Sequence, residues 1–306
     1  MGNLEEAIYR VHQEKKKEAR EEKAKDKTDE RNKVYTMDLQ SVLLAPHSNV
    51  SSLYYKKKLI VHNFTIYNIK TKEAFCFIWN ETEGSVGANE FTTIICNFIR
   101  KESTNLIEGE EIILYSDGCA GQNRNSVLSN ALLYIATEKK ITIVQKYLER
   151  VHTQMEADSI HSSIERVLRK RKINVPADYI DVCLQARQNP EPYKVHYLTH
   201  DYFLNYAKLG FLASIRPGKK AGDPTVQDLR AIKYKPTCEI EYKLRHSHEW
   251  KLLPVRINKN PKIDILALYS ERLKIKSDKF EHLQALKEYV MADYRDFYDN
   301  IPYNTN

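Results

Sequence analysis

EIILYSDGCAGQNRN, residues 111–125, carries a short apolar run (Ile112, Ile113, Leu114) into a lone aspartate, Asp117. Gly118 and Gly121 follow, then a polar patch of Gln122, Asn123, Arg124 and Asn125. An apolar run closed by glycines and amides reads as a buried strand entering a turn. A carboxylate at the carboxyl end of such a strand is a common way to build a metal or phosphate site. The same residues serve equally as a strand-to-helix turn, with Asp117 or Asn125 capping the helix that follows. The flanking sequence decides between the two.

Downstream, Ser126 to Lys139 sets Val127, Leu128, Ala131, Leu132 and Ile135 on one helical face, and Ile141 to Leu148 reads as a strand. Ser159 to Lys172 predicts a helix with Ile160, Ile164, Val167 and Leu168 inward. Upstream, Val34 to Leu44 reads as one strand holding Asp38, Pro46 to Ser52 as a loop, and Tyr54 to Ile69 as a long strand. Glu73 to Trp79 gives a third strand, and Ala88 to Lys101 has the 3–4 apolar spacing of an amphipathic helix. The order β-β-β-α-β-α-β-α predicts an α/β fold, a mixed sheet with helices packed on it. It is the ribonuclease-H-like order. The expected division is a charged lead-in over 1–33, helical or disordered, a core over 34–175, and an α+β extension over 176–306.

That arrangement works through carboxylates from the first strand, the fourth strand and a late helix. Asp38, Asp117 and Asp158 occupy those places. Two carboxylates on neighbouring strands and a third on a helix over the sheet suit a pair of divalent ions acting on a phosphodiester. Oxygen ligands without cysteine point to Mg²⁺ or Mn²⁺. In HTQMEADSIHSSIE (152–165), Asp158, His161 and Glu165 share one helical face at i, i+3, i+7. Asp158 reads equally as an N-cap, His161 and Glu165 are supporting neighbours of open role, and Glu156 is expected to precede the helix.

YTMDLQSVLLAPH, YYKKKLIVHNFTIYN, YSDGCAGQNRN and HTQMEADSIHSSIE together resemble a transposon-derived family, found in many copies in animal genomes, with a ribonuclease-H-like, DDE/D-type transposase core. The S-D-x-C-x-G-Q-N-x-N pattern is long and specific. The resemblance covers residues 34–175 and weakens toward the carboxyl terminus. It implies an acidic triad of Asp38, Asp117 and Asp158, with Gln122 and Asn123 orienting the carboxylates or a DNA phosphate. It also implies DNA as partner, a second copy of the chain as a further candidate partner, and a nuclear or cytoplasmic location. Val151 stands before His152 and Thr153 where the family has glycine. The end-recognition segment the family carries upstream is expected to be missing or very short. Two alternatives stay open: a domesticated or inactive copy that binds nucleic acid or protein, and a nuclease on the same fold.

Composition sets the limits. The 306 residues are 42% hydrophobic, enough for a real core, and carry a net charge of +7, which leans toward a polyanionic partner. No apolar run approaches the roughly 18 residues a membrane span needs, no signal peptide opens the chain, and Glu6 replaces the Ser or Thr of a myristoylation signal. Five scattered cysteines form no Cys-x-x-Cys pair, so neither a disulfide framework nor a zinc finger is indicated. Residues 1–33 hold ten Lys/Arg and nine Asp/Glu and read as a solvated, self-paired stretch. Positive charge concentrates at Arg166, Arg169, Lys170, Arg171 and Lys172, a solvated helix end or a phosphate-facing patch. The turn 217–222 offers lysines and backbone N–H groups to a phosphate. His246 and His248 read as an exposed strand end, and Phe280 to Tyr298 as a closing helix or helix pair.

Overall fold

The computed structural model describes residues 2–47, 55–104, 106–107, 109–149, 155–254, 257–259, 261 and 263–305; of residues 2–8 and 12 it describes the backbone alone. The expected loop to Ser52 lies partly outside these residues, and Val151, His152 and Thr153 lie wholly outside them.

The strands of the core are β1 (Asn32–Leu39), β2 (Leu43–Ala45), β3 (Leu59–Asn68), β4 (Ala74–Asn80), β5 (Glu111–Ser116) and β6 (Thr142–Tyr147). β3 lies between β1 and β4, antiparallel to both, while β5 and β6 run parallel to β1 on its other side. This is a mixed sheet with the ribonuclease-H-like strand order. The carboxyl-terminal region widens it at both edges. β7 (Lys194–Tyr197) joins β4, and β8 (Ala231–Tyr234), β9 (Ile240–Lys243) and β10 (Lys251–Leu252) continue from β6.

Helices cover both faces, so the central strands are apolar on both sides. On one face α2 (Ala88–Ser103) and α3 (Ser126–Lys139) bury Phe91, Ile94, Ile95, Phe98, Leu128 and Leu132 against Tyr35, Met37, Phe64 and Leu114. Each such side chain is worth roughly 1.5–3 kcal/mol of burial. On the other, α4 (Glu156–Leu168) and α5 (Asp178–Ala186) pack Ile160, Ile164, Tyr179 and Val182 on β2, β3 and β4. A helix pair, α6 (Ser277–Leu286) and α7 (Arg295–Asp299), closes the chain and buries Leu283, Leu286 and Tyr298.

The charged lead-in is the helix α1 (Gly2–Thr28); Lys17 and Glu21 pair within it at 3.8 Å, but it is docked on the sheet rather than solvated all round. Ala19 is buried against Val34, Ile113 and Val144. The buried Lys146 ammonium reaches Glu22 at 2.5 Å and Asp26 at 2.6 Å, and Tyr115 Oη donates to Asp26. Glu18 pairs with Arg245 at 3.1 Å, and Lys23 pairs with Glu156. Burial alone would raise the Glu22 carboxyl; Lys146 overrides it and holds the group below its ordinary range.

Other expectations are corrected. Val34 to Leu44 is two strands: three residues, 40–42, oppose two, His62 and Asn63, between the pairs Leu39–Phe64 and Leu43–Val61. That extra residue is a β-bulge, which breaks the ladder just beyond Asp38. The helix expected from Ser159 begins at Glu156, so Glu156 lies inside it. His246 sits in a turn and is buried rather than at an exposed strand end. Trp250, placed between the Lys233 and Lys243 ammoniums at 4.9 and 4.8 Å, shares that corner. The N–H groups of Lys219 and Lys220 donate to Asp223 at 3.0 and 2.8 Å, so the basic turn spends them internally. Arg166, Arg169, Lys170, Arg171 and Lys172 are exposed at the end of α4. All five cysteines are free, four of them buried. Among the described residues no helix is long and apolar enough to cross a membrane.

Candidate metal centre

Asp38 sits near the end of β1, directly opposite Thr65 of β3. On its other side β1 pairs with β5 through Thr36 and Tyr115. Continuing that parallel register by two residues sets Asp38 beside Asp117, just past the end of β5. Adjacent parallel strands therefore deliver two carboxylates to the same edge.

The turn after β5 fixes the second of them. The N–H groups of Gln122, Asn123 and Arg124 converge on Cys119 O at 3.3, 2.8 and 3.1 Å. This brings the Asn123 amide to Asp117 Oδ1 at 2.9 Å, where the Cys119 N–H also donates at 3.2 Å. Asn125 is the cap of α3, its side chain accepting from Leu128 N–H at 2.9 Å. The capping reading thus holds for Asn125 and not for Asp117. Gln122 makes no side-chain hydrogen bond to Asp117 among the described residues.

α4 crosses above these strands. Asp158 is in its first turn and accepts from the Met155 N–H at 3.2 Å, so it closes the helix start from within. One turn on, His161 is buried; its Nε2 hydrogen-bonds Thr65 Oγ1 at 3.0 Å, and its Nδ1 lies 4.0 Å from Asp38 Oδ2. Asp38, Asp158 and His161 each offer a ligand atom within 4.8 Å of the others. Asp117 does not join that closest group, although its charge acts on Asp38. Glu165, a further turn along, reaches Ser41 in the bulge at 3.4 Å. Asp158 also lines an open hollow of about 340 Å³ with Met155, Glu156, Ser159 and Ser162.

The electrostatics follow from this crowding. Burial, then the Asp117 charge, and after it Asp158 push the Asp38 carboxyl up to about 7, against a hydrogen bond from the Leu39 backbone. Burial lowers His161 to about 4 despite the attraction of Glu165, so its imidazole is neutral at neutral pH. Carboxylates that repel one another beside a neutral imidazole form a donor set that a divalent cation would relieve. Thr65, which orients His161, was not singled out from the sequence; its signal was the strand register opposite Asp38.

A mixed α/β sheet carrying an acidic cluster at the carboxyl ends of its parallel strands defines the general class. Residues 21–199, more than half of the chain, match the family described as a domain of unknown function (DUF8701), and the chain belongs to that family. No curated protein and no solved structure matches the chain.

Proposed function

We propose that the chain is a transposase-like enzyme that cleaves and joins DNA with the help of Mg²⁺ or Mn²⁺. The supporting observation is the convergence of β1, the end of β5 and the first turns of α4, which gathers Asp38, Asp117, Asp158 and His161. The donors fit such an ion: hard carboxylate oxygens, one neutral imidazole, and a half-buried Asp38 whose charge its neighbours oppose. Asp38, Asp158 and His161 would hold an ion, with Asp117 on its flank. A divalent ion bound there supplies charge stabilisation to the oxygens of a phosphodiester. The chain's own part is positioning. Asn123 holds Asp117 by one oxygen, Thr65 fixes the His161 ring, and the Met155 N–H sets Asp158. Mg²⁺ tolerates imidazole less readily than Mn²⁺, so the His161 contact favours Mn²⁺.

The test is calorimetric titration with Mn²⁺ of the wild type and of Asp117→Asn, with and without DNA, followed by a strand-transfer assay. Binding weakened by the substitution, together with joined products, is the expected result. A wild type that binds no Mn²⁺ in either condition overturns the proposal. Cleavage without joining reassigns the chain as a nuclease on the same fold.

A further inference from the structure

The polar stripe of α4 does not end at the acidic cluster. Asp158, Ser162, Glu165 and Arg169 recur at i, i+4, i+7 and i+11, one face of the helix, with Arg166 flanking it. Asp158 and Ser162 are exposed, and the hollow they line opens the near end of the stripe. At the far end Arg166, Arg169, Lys170, Arg171 and Lys172 are all exposed, while Ile164 and Ile173 are buried and seat the segment on the sheet. The backbone bunches these cations. Lys170 N–H donates to Val167 O at 3.1 Å and Arg171 N–H to Leu168 O at 3.0 Å, and Ile173 exchanges two hydrogen bonds with His47, at 2.8 and 2.9 Å. Only Arg166 lies in the last turn, where the helix dipole favours a cation.

Among the described residues none of the five pairs with a carboxylate. Arg171 meets the amide oxygen of Gln185, and Arg166 Nη2 reaches Ser163 Oγ at 3.4 Å. Of the neighbouring acids, Glu165 reaches Ser41, and Asp178 accepts from the N–H groups of Asn174 and Val175. By contrast Lys146, Arg245 and Lys279 each meet a carboxylate. The acidic cluster repels a polyanion until a cation fills it, so the attraction that holds a nucleic acid must come from another part of the same face. A rise of about 1.5 Å per residue sets Arg166 and Arg169 about 12–16 Å from Asp158, a span over which one strand of a duplex carries about four phosphates. We propose that the basic end of α4 is the anchor for DNA, its guanidinium and ammonium groups taking backbone phosphates on the flank of the one that reaches the acidic cluster. The proposal rests on the nucleic-acid reading given above.

The test variant is Arg166→Gln with Arg169→Gln and Lys170→Gln, three exposed side chains whose loss leaves the packing of α4 alone. A control removes the same charge elsewhere, from the exposed Lys208, Lys219 and Lys220, each to Gln. Binding of a fluorescent DNA duplex is followed by anisotropy in EDTA over a range of salt concentrations. The expected result for the test variant is affinity at least about tenfold weaker, with the slope of log K against log salt shallower by about 2 to 3. The control stays close to wild type, and Mn²⁺ affinity, titrated separately, is unchanged in both. Should the triple variant not fold, Arg169→Gln alone should make the slope shallower by about 1. A wild type that binds no duplex overturns the anchor, as does a test variant whose affinity and slope match those of wild type or of the control. That second outcome with Mn²⁺ binding intact removes the anchor alone. Absent Mn²⁺ binding with the salt effect present removes the metal reading and supports the anchor.

Discussion

Asn123 and Asp117 meet through a single oxygen: the Asn123 amide and the Cys119 N–H both donate to Asp117 Oδ1, and no described donor reaches Oδ2. The carboxylate is held in orientation with one oxygen left for another partner. Asn123→Ala should therefore lower Mn²⁺ affinity by about 10- to 100-fold, the usual cost of losing a group that orients a ligand. Fold stability should fall by only about 1 kcal/mol. Calorimetry and a urea melt measure the two separately, and unchanged Mn²⁺ affinity would remove Asn123 from the site.

Asp38→Asn should stabilise the metal-free protein. The folded Asp38 pKa, about 7, lies above the unfolded value near 4. The native state therefore binds the proton more tightly, and stability declines as pH rises from about 4 to 7, with the full cost present above 7. Neutralising the side chain should add on the order of 2 kcal/mol at pH 8 and nothing at pH 4. Urea melts of both proteins at the two pH values check this.

Lys146→Met leaves Glu22 and Asp26 without the buried ammonium that both reach. Breaking a buried pair by removing one partner costs about 3–5 kcal/mol. The loss should appear first in α1, whose amides should exchange faster than those of β5 in a hydrogen-exchange experiment. Uniform exchange across both elements would mean that α1 is held by its apolar contacts and its other ion pairs without Lys146.

His62, in the middle of β3, is buried beside Trp79, and burial lowers it to about 4. Between that value and the unfolded value of about 6.5 the unfolded chain binds more protons. Stability should thus fall as pH drops below 6.5, with about 2 kcal/mol lost by pH 5. His62→Gln should flatten that part of the stability profile, and an unaltered profile would show that another group carries it.

What the chain discloses in advance is what depends on near neighbours. Ser126–Lys139 is helical as its apolar spacing and Asn125 cap require, and the alternation of strand and helix yields the α/β sheet. The break between β1 and β2 was hidden because a bulge exists only relative to a partner, here His62 and Asn63 of β3. α4 starts early because Asp158 caps it from inside the first turn, whereas its residue type suggested the boundary itself. The docking of α1 depends on Lys146 and Arg245, far away in the chain, so its balanced charge read as self-pairing. At the candidate site, the acidic residues stood out because they interrupt apolar runs. Thr65 did not, since a threonine in a strand means nothing until the strands are assembled.

The family match ends at residue 199, before β8 begins. β8 pairs with β6 from Ile143 opposite Tyr234 to Lys146 opposite Ala231. A fragment cut to the limits of the match would strip that partner away and expose the β6 backbone along its whole outer edge. Such a bare edge recruits strands from other molecules. The fragment should therefore self-associate on expression, and the region beyond the match acts as the guard that keeps each molecule's sheet to itself.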